Sequence, residues 1–385
     1  RVTAGLLAVS AGTFNSAAAA GTWTVTGAGT ISGTGSLTAT SGTFNVGGNW
    51  ANTATFVSGS NTVTFNGGST QTINAGGTGG GVDDTTKDFN NLTVSGSTLQ
   101  VITSELEVDG NLTIDATKTL DLNGQALDLN GTFVNNGTVQ LTGAETIAMG
   151  TMDTDTGLFK FVGTTSATLP SAITTYFNLE FDESGTSDPT FTFPDSNLTV
   201  NGRLTVTDAI VAFDDDKSLT INDTGATGTA LSVAASQSLL NSGTGDFALG
   251  AAVANAGTIT FNSSDDAGNG IAITSTSSPT RRNWQGAGAF NMTDVTVTNQ
   301  SATGGTPASI TVLSGSNGGN NVNWLFGSVA GLTGTVYNGK AEGATLNSKN
   351  VTVVQESSAV ITTYTTTTNG SGVFTLASVA IGAGD

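Results

Sequence analysis

Apolar and polar positions alternate with a period of two along most of the chain. Thr22-Trp23-Thr24-Val25-Thr26, Asn61-Thr62-Val63-Thr64-Phe65 and Asn111-Leu112-Thr113-Ile114-Asp115 each predict a strand with one buried face. Between 111 and 142, strands begin near Leu112, Leu120, Leu127, Phe133 and Val139, with Asn123-Gly124, Asn130-Gly131 and Asn136-Gly137 between them. Two architectures compete for this stretch. Asn-Gly between apolar runs suits antiparallel hairpins, because both residues tolerate positive φ. Yet Leu120-Asp121-Leu122-Asn123-Gly124 returns as Leu127-Asp128-Leu129-Asn130-Gly131. Repetition of one short strand and one corner fits the flat faces of a solenoid, where three faces make a turn of roughly 20 residues. The solenoid reading makes pairing within 100–145 parallel and turns Leu112, Leu122, Leu129 and Val139 inward, with Asn stacked at corners. Antiparallel ladders across Asn123-Gly124 and Asn130-Gly131 would mark the alternative, an array of sandwiches.

A longer repeat overlies the short one. Phe89-Asn90-Asn91-Leu92-Thr93-Val94 returns as Phe177-Asn178-Leu179-Glu180-Phe181 and as Phe290-Asn291-Met292-Thr293-Asp294-Val295. These copies suggest two to three degenerate modules of unequal length. The pattern ends near Asn323-Trp324-Leu325-Phe326, which puts a boundary at 326–330 and divides the chain into 1–327 and 328–385. About 15 turns at roughly 4.8 Å would make the first part a rod on the order of 70 Å long.

Composition agrees with strands. Only 10% of residues are charged, glycines number 53, and Ser, Thr and Asn fill most polar positions. Such a chain could be disordered, but 37% hydrophobic content in periodic positions argues for a core. The net charge is −19, and Arg281-Arg282 is the only basic cluster, so neither nucleic acid nor anionic lipid is an expected partner. No apolar run approaches the ~20 residues of a membrane-spanning helix.

The segments Phe89–Val94, Asn111–Ile114, Leu120–Val139 and Gly318–Phe326 resemble very large bacterial surface proteins, the adhesins and autotransporter-like passenger regions. That resemblance covers about 40–326 and implies an all-β, right-handed parallel β-helix (a β-solenoid) located outside the cell. The last 55 or so residues, through Gly331–Gly339, Gly343–Thr345 and Thr368–Val379, resemble a carboxypeptidase-regulatory or Cna-B-like domain. This second resemblance implies a small Ig-like β-sandwich and one further strand beyond Ile381–Asp385, so the domain reads as incomplete. Apolar residues 2–9 then read as a donor strand by which copies of the chain join end to end.

Chemistry is thinly represented. Histidine and cysteine are absent, which removes the commonest general base, zinc ligand and thiolate. Polysaccharide-cleaving β-helices use paired carboxylates, or an acidic cation site with a nearby Arg or Lys. The carboxylate candidates are Asp83-Asp84, Asp153 with Asp155, Asp214-Asp215-Asp216 and Asp265-Asp266; the arginine candidates are Arg203 and the 281–282 pair. Solvated acidic turns are the plainer reading, and no catalytic, cofactor or metal residue is assigned. The one calcium candidate is Asn262–Gly270, dense in oxygen ligands and glycine but without the Gly-Gly-x-Gly-x-Asp nonapeptide. Trp23, Trp50, Trp284 and Trp324 are either glycan platforms or, more in keeping with Trp in general, core residues. Asn91, Asn136 and Asn299 open Asn-x-Ser/Thr sequons, which a chain this rich in Asn and Thr forms by chance. The expected function is therefore a structural, non-enzymatic surface stalk or filament subunit. An adhesin binding cell-surface glycans and a polysaccharide-degrading β-helix are the alternatives, separated by whether aromatics and carboxylates line one outer groove.

Overall fold

The computed structural model describes residues 2–16, 20–77, 85–183, 185–213, 216–223, 228–263, 270–335, 348–357, 360–371 and 373–382. Among them there is no helix, and the chain up to Phe326 is a parallel β-solenoid of about fourteen turns. Each turn visits three faces in a fixed order. Trp23–Val25 lies on the first, Gly29–Ile31 on the second and Ser36–Thr38 on the third, and Thr43–Val46 then returns to the first. The second face is one sheet of 14 strands running from Leu7–Val9 to Gln300–Ser301, and we call it the long face. Fourteen strands at ~4.8 Å give a rod about 65 Å long.

Register makes like stack on like. Leu99, Leu120, Val139, Phe159, Leu179, Leu204, Leu231, Val253 and Trp284 form one inward column of the long face. All are buried in a single core that extends from Val9 to Trp324. Leu112, Leu122, Leu129 and Val139 point inward as expected, and the pairing through this stretch is parallel. Turn length varies while register holds: Leu99 meets Leu120, but Gln71 meets Leu99 and Val253 meets Trp284 across much longer excursions.

The three Asn-Gly pairs have three different fates. Asn123 and Gly124 both take left-handed φ (48° and 79°), so the dipeptide makes a tight turn at a solenoid corner and not in a hairpin. Asn130-Gly131, expected to be a corner, lies inside the nine-residue strand Leu127–Asn135. That strand pairs first with Leu106–Val108 and then with Leu112–Ile114 in one register, and shifts register between Leu129 and Thr132 only against the next strand, Ile147–Met152. The backbone of Gly110 lies where a Cβ on residue 131 would stand.

Asn136-Gly137 belongs to a different device, Asn-x-Gly with the first Asn turned inward. Asn135 accepts the N–H of Gly137 (3.2 Å) and donates to the Leu158 carbonyl one turn on (3.3 Å). Asn255 likewise accepts from Gly257 and donates to Ala289. Both are 1% exposed. The glycine is required because carbonyls of the previous turn, Lys118 beside Gly137 and Ala234 beside Gly257, lie where its Cβ would be.

A second use of Asn accounts for two copies of the longer repeat. At the start of their strands, Asn91 and Asn178 each donate to a carbonyl one turn back, of Asn61 and Gly157. Each also accepts a backbone N–H one turn on, from Asn111 and Arg203. The three Phe-Asn copies fall on three different sheets; the first two share this strand-entry bridge, whereas Asn291 lies inside Ala289–Thr293 and donates to the Thr260 hydroxyl.

The C-terminal part is antiparallel, as expected, and among the described residues it consists of two ladders in separate sheets. The strand Trp324–Thr335 pairs in parallel with Ile310–Leu313 of the rod and then antiparallel with Val373–Gly382, crossing the expected boundary without interruption. Asn350–Ser357 and Val360–Thr367 form a separate antiparallel pair. Val373–Leu376 and Val379–Ile381, read as two strands, are one. Gly343–Thr345 lies outside the described residues. Residues 2–9 are not a free arm either. Val2–Ala4 and Leu7–Val9 form the first turn of the rod, paired with Trp23–Val25 and Gly29–Ile31.

Two substitutions test this account of the interior. Asn135→Ala leaves the Gly137 N–H and the Leu158 carbonyl without partners and should cost about 2–4 kcal/mol in chemical denaturation. The Tyr176 hydroxyl is fully buried and has no hydrogen-bond partner among the described residues. Tyr176→Phe should therefore raise the melting temperature, corresponding to roughly 1 kcal/mol or more.

Candidate functional site

The outward column beside the inward leucines is built differently over part of its length. Gln100, Asp121, Gln140, Lys160 and Glu180 are register neighbours on five successive turns of the long face. Further along, the same column continues as Thr205, Ser232 and Ala254. Gln100, Asp121, Gln140 and Lys160 on four adjacent turns, with Asn123, Thr142, Val162–Thr165, Asp182 and Glu183 beside them, line a groove of about 510 Å³, and Glu180 lies just outside it. At ~4.8 Å per turn the column is about 19 Å long.

Hydrogen bonds fix most of its groups before any ligand arrives. The Asp121 carboxylate accepts from the Gln100 amide (2.7 Å) and the Asn123 N–H (3.0 Å). Glu145, behind the Thr142 wall, accepts from the N–H groups of Gly124, Thr142 and Gly143. Glu183 accepts from Gly185 and Ser187, and so holds the corner that follows it. Lys160 lies between Asp182 (2.5 Å) and Glu180 (3.9 Å). The Gln140 side chain makes no hydrogen bond to other described residues, so its amide is available to the groove.

Carboxylates crowd at one end. Burial, followed by the charges of Glu183, Asp188 and Asp182, holds the Asp208 carboxyl above the usual carboxylate range. Asp208 also accepts from the Gln237 amide (3.0 Å).

Most sequence candidates lie elsewhere. Asp153 is half-buried beside Asn135, and burial raises its pKa, with Asp155 adding to the shift and the Asn135 N–H opposing it. Asp216 is exposed and paired with Lys217 (2.8 Å), which lowers its pKa; Lys217 also reaches Asp195 (3.0 Å). Asp83-Asp84, Asp214-Asp215 and residues 264–269 of the calcium candidate lie outside the described residues. Among the described residues no three carboxylates are grouped to hold a metal, and no helix is long and apolar enough to cross a membrane. Arg203, Arg281 and Arg282 bond to Thr229, Asn320 and Ser275, away from the groove.

The four tryptophans are core residues, 0 to 6% exposed, so the platform alternative falls. Trp284 stacks edge-on against Trp324 at 5.3 Å and donates to Gln300. Asn299 is buried, its amide bonded to Ser278 and Asn320, whereas Asn136 is exposed and Asn91 half-buried.

Sequence reading missed the groove because its residues are scattered singly, in Thr-Leu-Gln-Val, Thr-Leu-Asp-Leu, Thr-Val-Gln-Leu, Leu-Phe-Lys-Phe and Asn-Leu-Glu-Phe. Folding the sequence at about 20 residues per turn would have aligned them.

The class defined by this architecture is the parallel β-solenoid. Comparison with known proteins found no matching family model, no matching curated protein and no matching solved structure.

The crowded end makes the fold sensitive to pH. Because folding raises the pKa of Asp208, its ionisation opposes the folded state. Stability is therefore lost as pH rises from the unfolded value of about 3.9 through the raised folded one. Asp208→Asn keeps an acceptor for Gln237, so it should raise the melting temperature at pH 7 and make little difference at or below about pH 4. Equal melting temperatures at pH 7 would contradict the assignment.

Proposed function

We propose that this chain is an extracellular structural rod, a stalk or filament element of a surface, and not an enzyme. The observation that carries the reading is where the aromatic residues lie. All four tryptophans are buried, and among the described phenylalanines only Phe14 is exposed. The outer faces are thus left largely to Thr, Ser, Asn and other short side chains, apart from the groove on the long face. A hydrolase needs two working carboxylates about 5 to 10 Å apart. In the groove, Asp182 engages Lys160 and Glu183 accepts from the Gly185 and Ser187 N–H groups, while Asp121 is three turns away. The extracellular setting is supported by the resemblance to bacterial surface proteins. Stability drawn from continuous backbone pairing, without any disulfide, is compatible with it.

Electron microscopy of the purified chain should show rods about 65 Å long. Continuous fibres of the same width at high concentration would support end-to-end assembly, and rods that stay single would remove it. A globular particle, or new reducing ends released from a panel of polysaccharides, would overturn the structural reading.

A further inference from the structure

We propose that the groove on the long face binds one extended, neutral, β-linked glycan strand lying along the rod axis. The inference goes beyond the structural reading and does not depend on it. The groove volume, about 510 Å³, is in the range of small-molecule and oligosaccharide sites.

The lining decides the chemistry. A peptide could pair with the sheet only at a free edge, but every strand beneath the groove is already paired on both sides. A peptide anchored by apolar side chains would find only Val162 among the lining residues. Recognition must therefore come from side-chain hydrogen bonds alone. Amides and carboxylates present two-pronged acceptors and donors, which suit neighbouring hydroxyls on a sugar ring. Gln100, Asp121 and Gln140 place such groups on three successive turns and Lys160 adds a donor on the fourth, so a ligand with a regular repeat meets a polar contact every ~4.8 Å. An extended β-linked glycan has a rise per sugar close to that step.

Charge narrows the class further. Asp121, Asp182 and Glu183 outnumber Lys160, so an acidic polysaccharide would be repelled. The bonds that hold Asp121, Glu183 and Lys160 in place mean that little side-chain entropy is lost on binding.

Isothermal titration of the full chain with cellohexaose and mannohexaose, alongside cellobiose, hexagalacturonate and spermine, tests this. At least one neutral hexasaccharide should bind, at least about tenfold more tightly than the disaccharide, as a multi-turn groove requires. Gln140→Ala, whose outward side chain makes no bond to other described residues, should weaken that binding about tenfold. Ser232→Ala, in the same column but outside the groove, should leave it unchanged. Circular dichroism confirms that both variants fold. Binding of neither neutral hexasaccharide would overturn the proposal, as would undiminished binding by Gln140→Ala. Spermine as the only ligand would reassign the groove to polycations, and hexagalacturonate as the only ligand would refute the charge argument.

Discussion

The rod depends on one constraint, which is that each strand satisfies its backbone only by pairing in parallel with the strands one turn before and one turn after. Parallel pairing in register carries every residue onto its counterpart about 20 positions away. An inward Leu must then stack on a Leu, Val or Phe, as the column from Leu99 to Trp284 does. The same rule works outward, where it turns scattered polar residues into rows. Core, corners and groove are three consequences of one geometry.

Corners are where this geometry is hardest to satisfy, because the ladder is interrupted and N–H groups are left over. The chain answers with asparagine. Turned inward, as at Asn135 and Asn255, it closes its own corner and reaches the next turn. At the start of a strand, as at Asn91 and Asn178, it ties three successive turns together. An amide suits both tasks because it donates and accepts from one planar group.

How legible this was depended on which period carried the information. The period of two gave the strands and the inward residues, Leu112, Leu122, Leu129 and Val139 among them, because burial follows it directly. The echo of Leu120–Gly124 at Leu127–Gly131 pointed to a solenoid, yet it also made Asn130-Gly131 look like a corner. The Gly110 backbone one turn earlier packs directly against Gly131, a neighbour that local sequence does not reveal. The Ig-like reading of the last residues rested on turn motifs, whereas the strand Trp324–Thr335 continues out of the rod itself. The groove was invisible to motif reading because no two residues of its column are adjacent in sequence. Attention went to acidic clusters such as Asp214–Asp216, of which Asp216 is an exposed ion pair with Lys217. The tryptophans were read correctly in their plainer sense, since large rings fill the centre of the prism.

The uneven length of the turns has an implication for how such a chain changes over time. Between Gln71 and Leu99, and again between Val253 and Trp284, extra residues are accommodated while the strands on either side keep their partners. Extra length of this kind leaves the flanking strands in register, so an insertion there need not disturb the ladder and can acquire a task of its own. Duplication of a whole turn is equally tolerated, because each turn presents its neighbours with much the same surface that it receives. Length and decoration can thus evolve separately, and the same property makes the rod a candidate scaffold for grafting foreign loops at chosen heights.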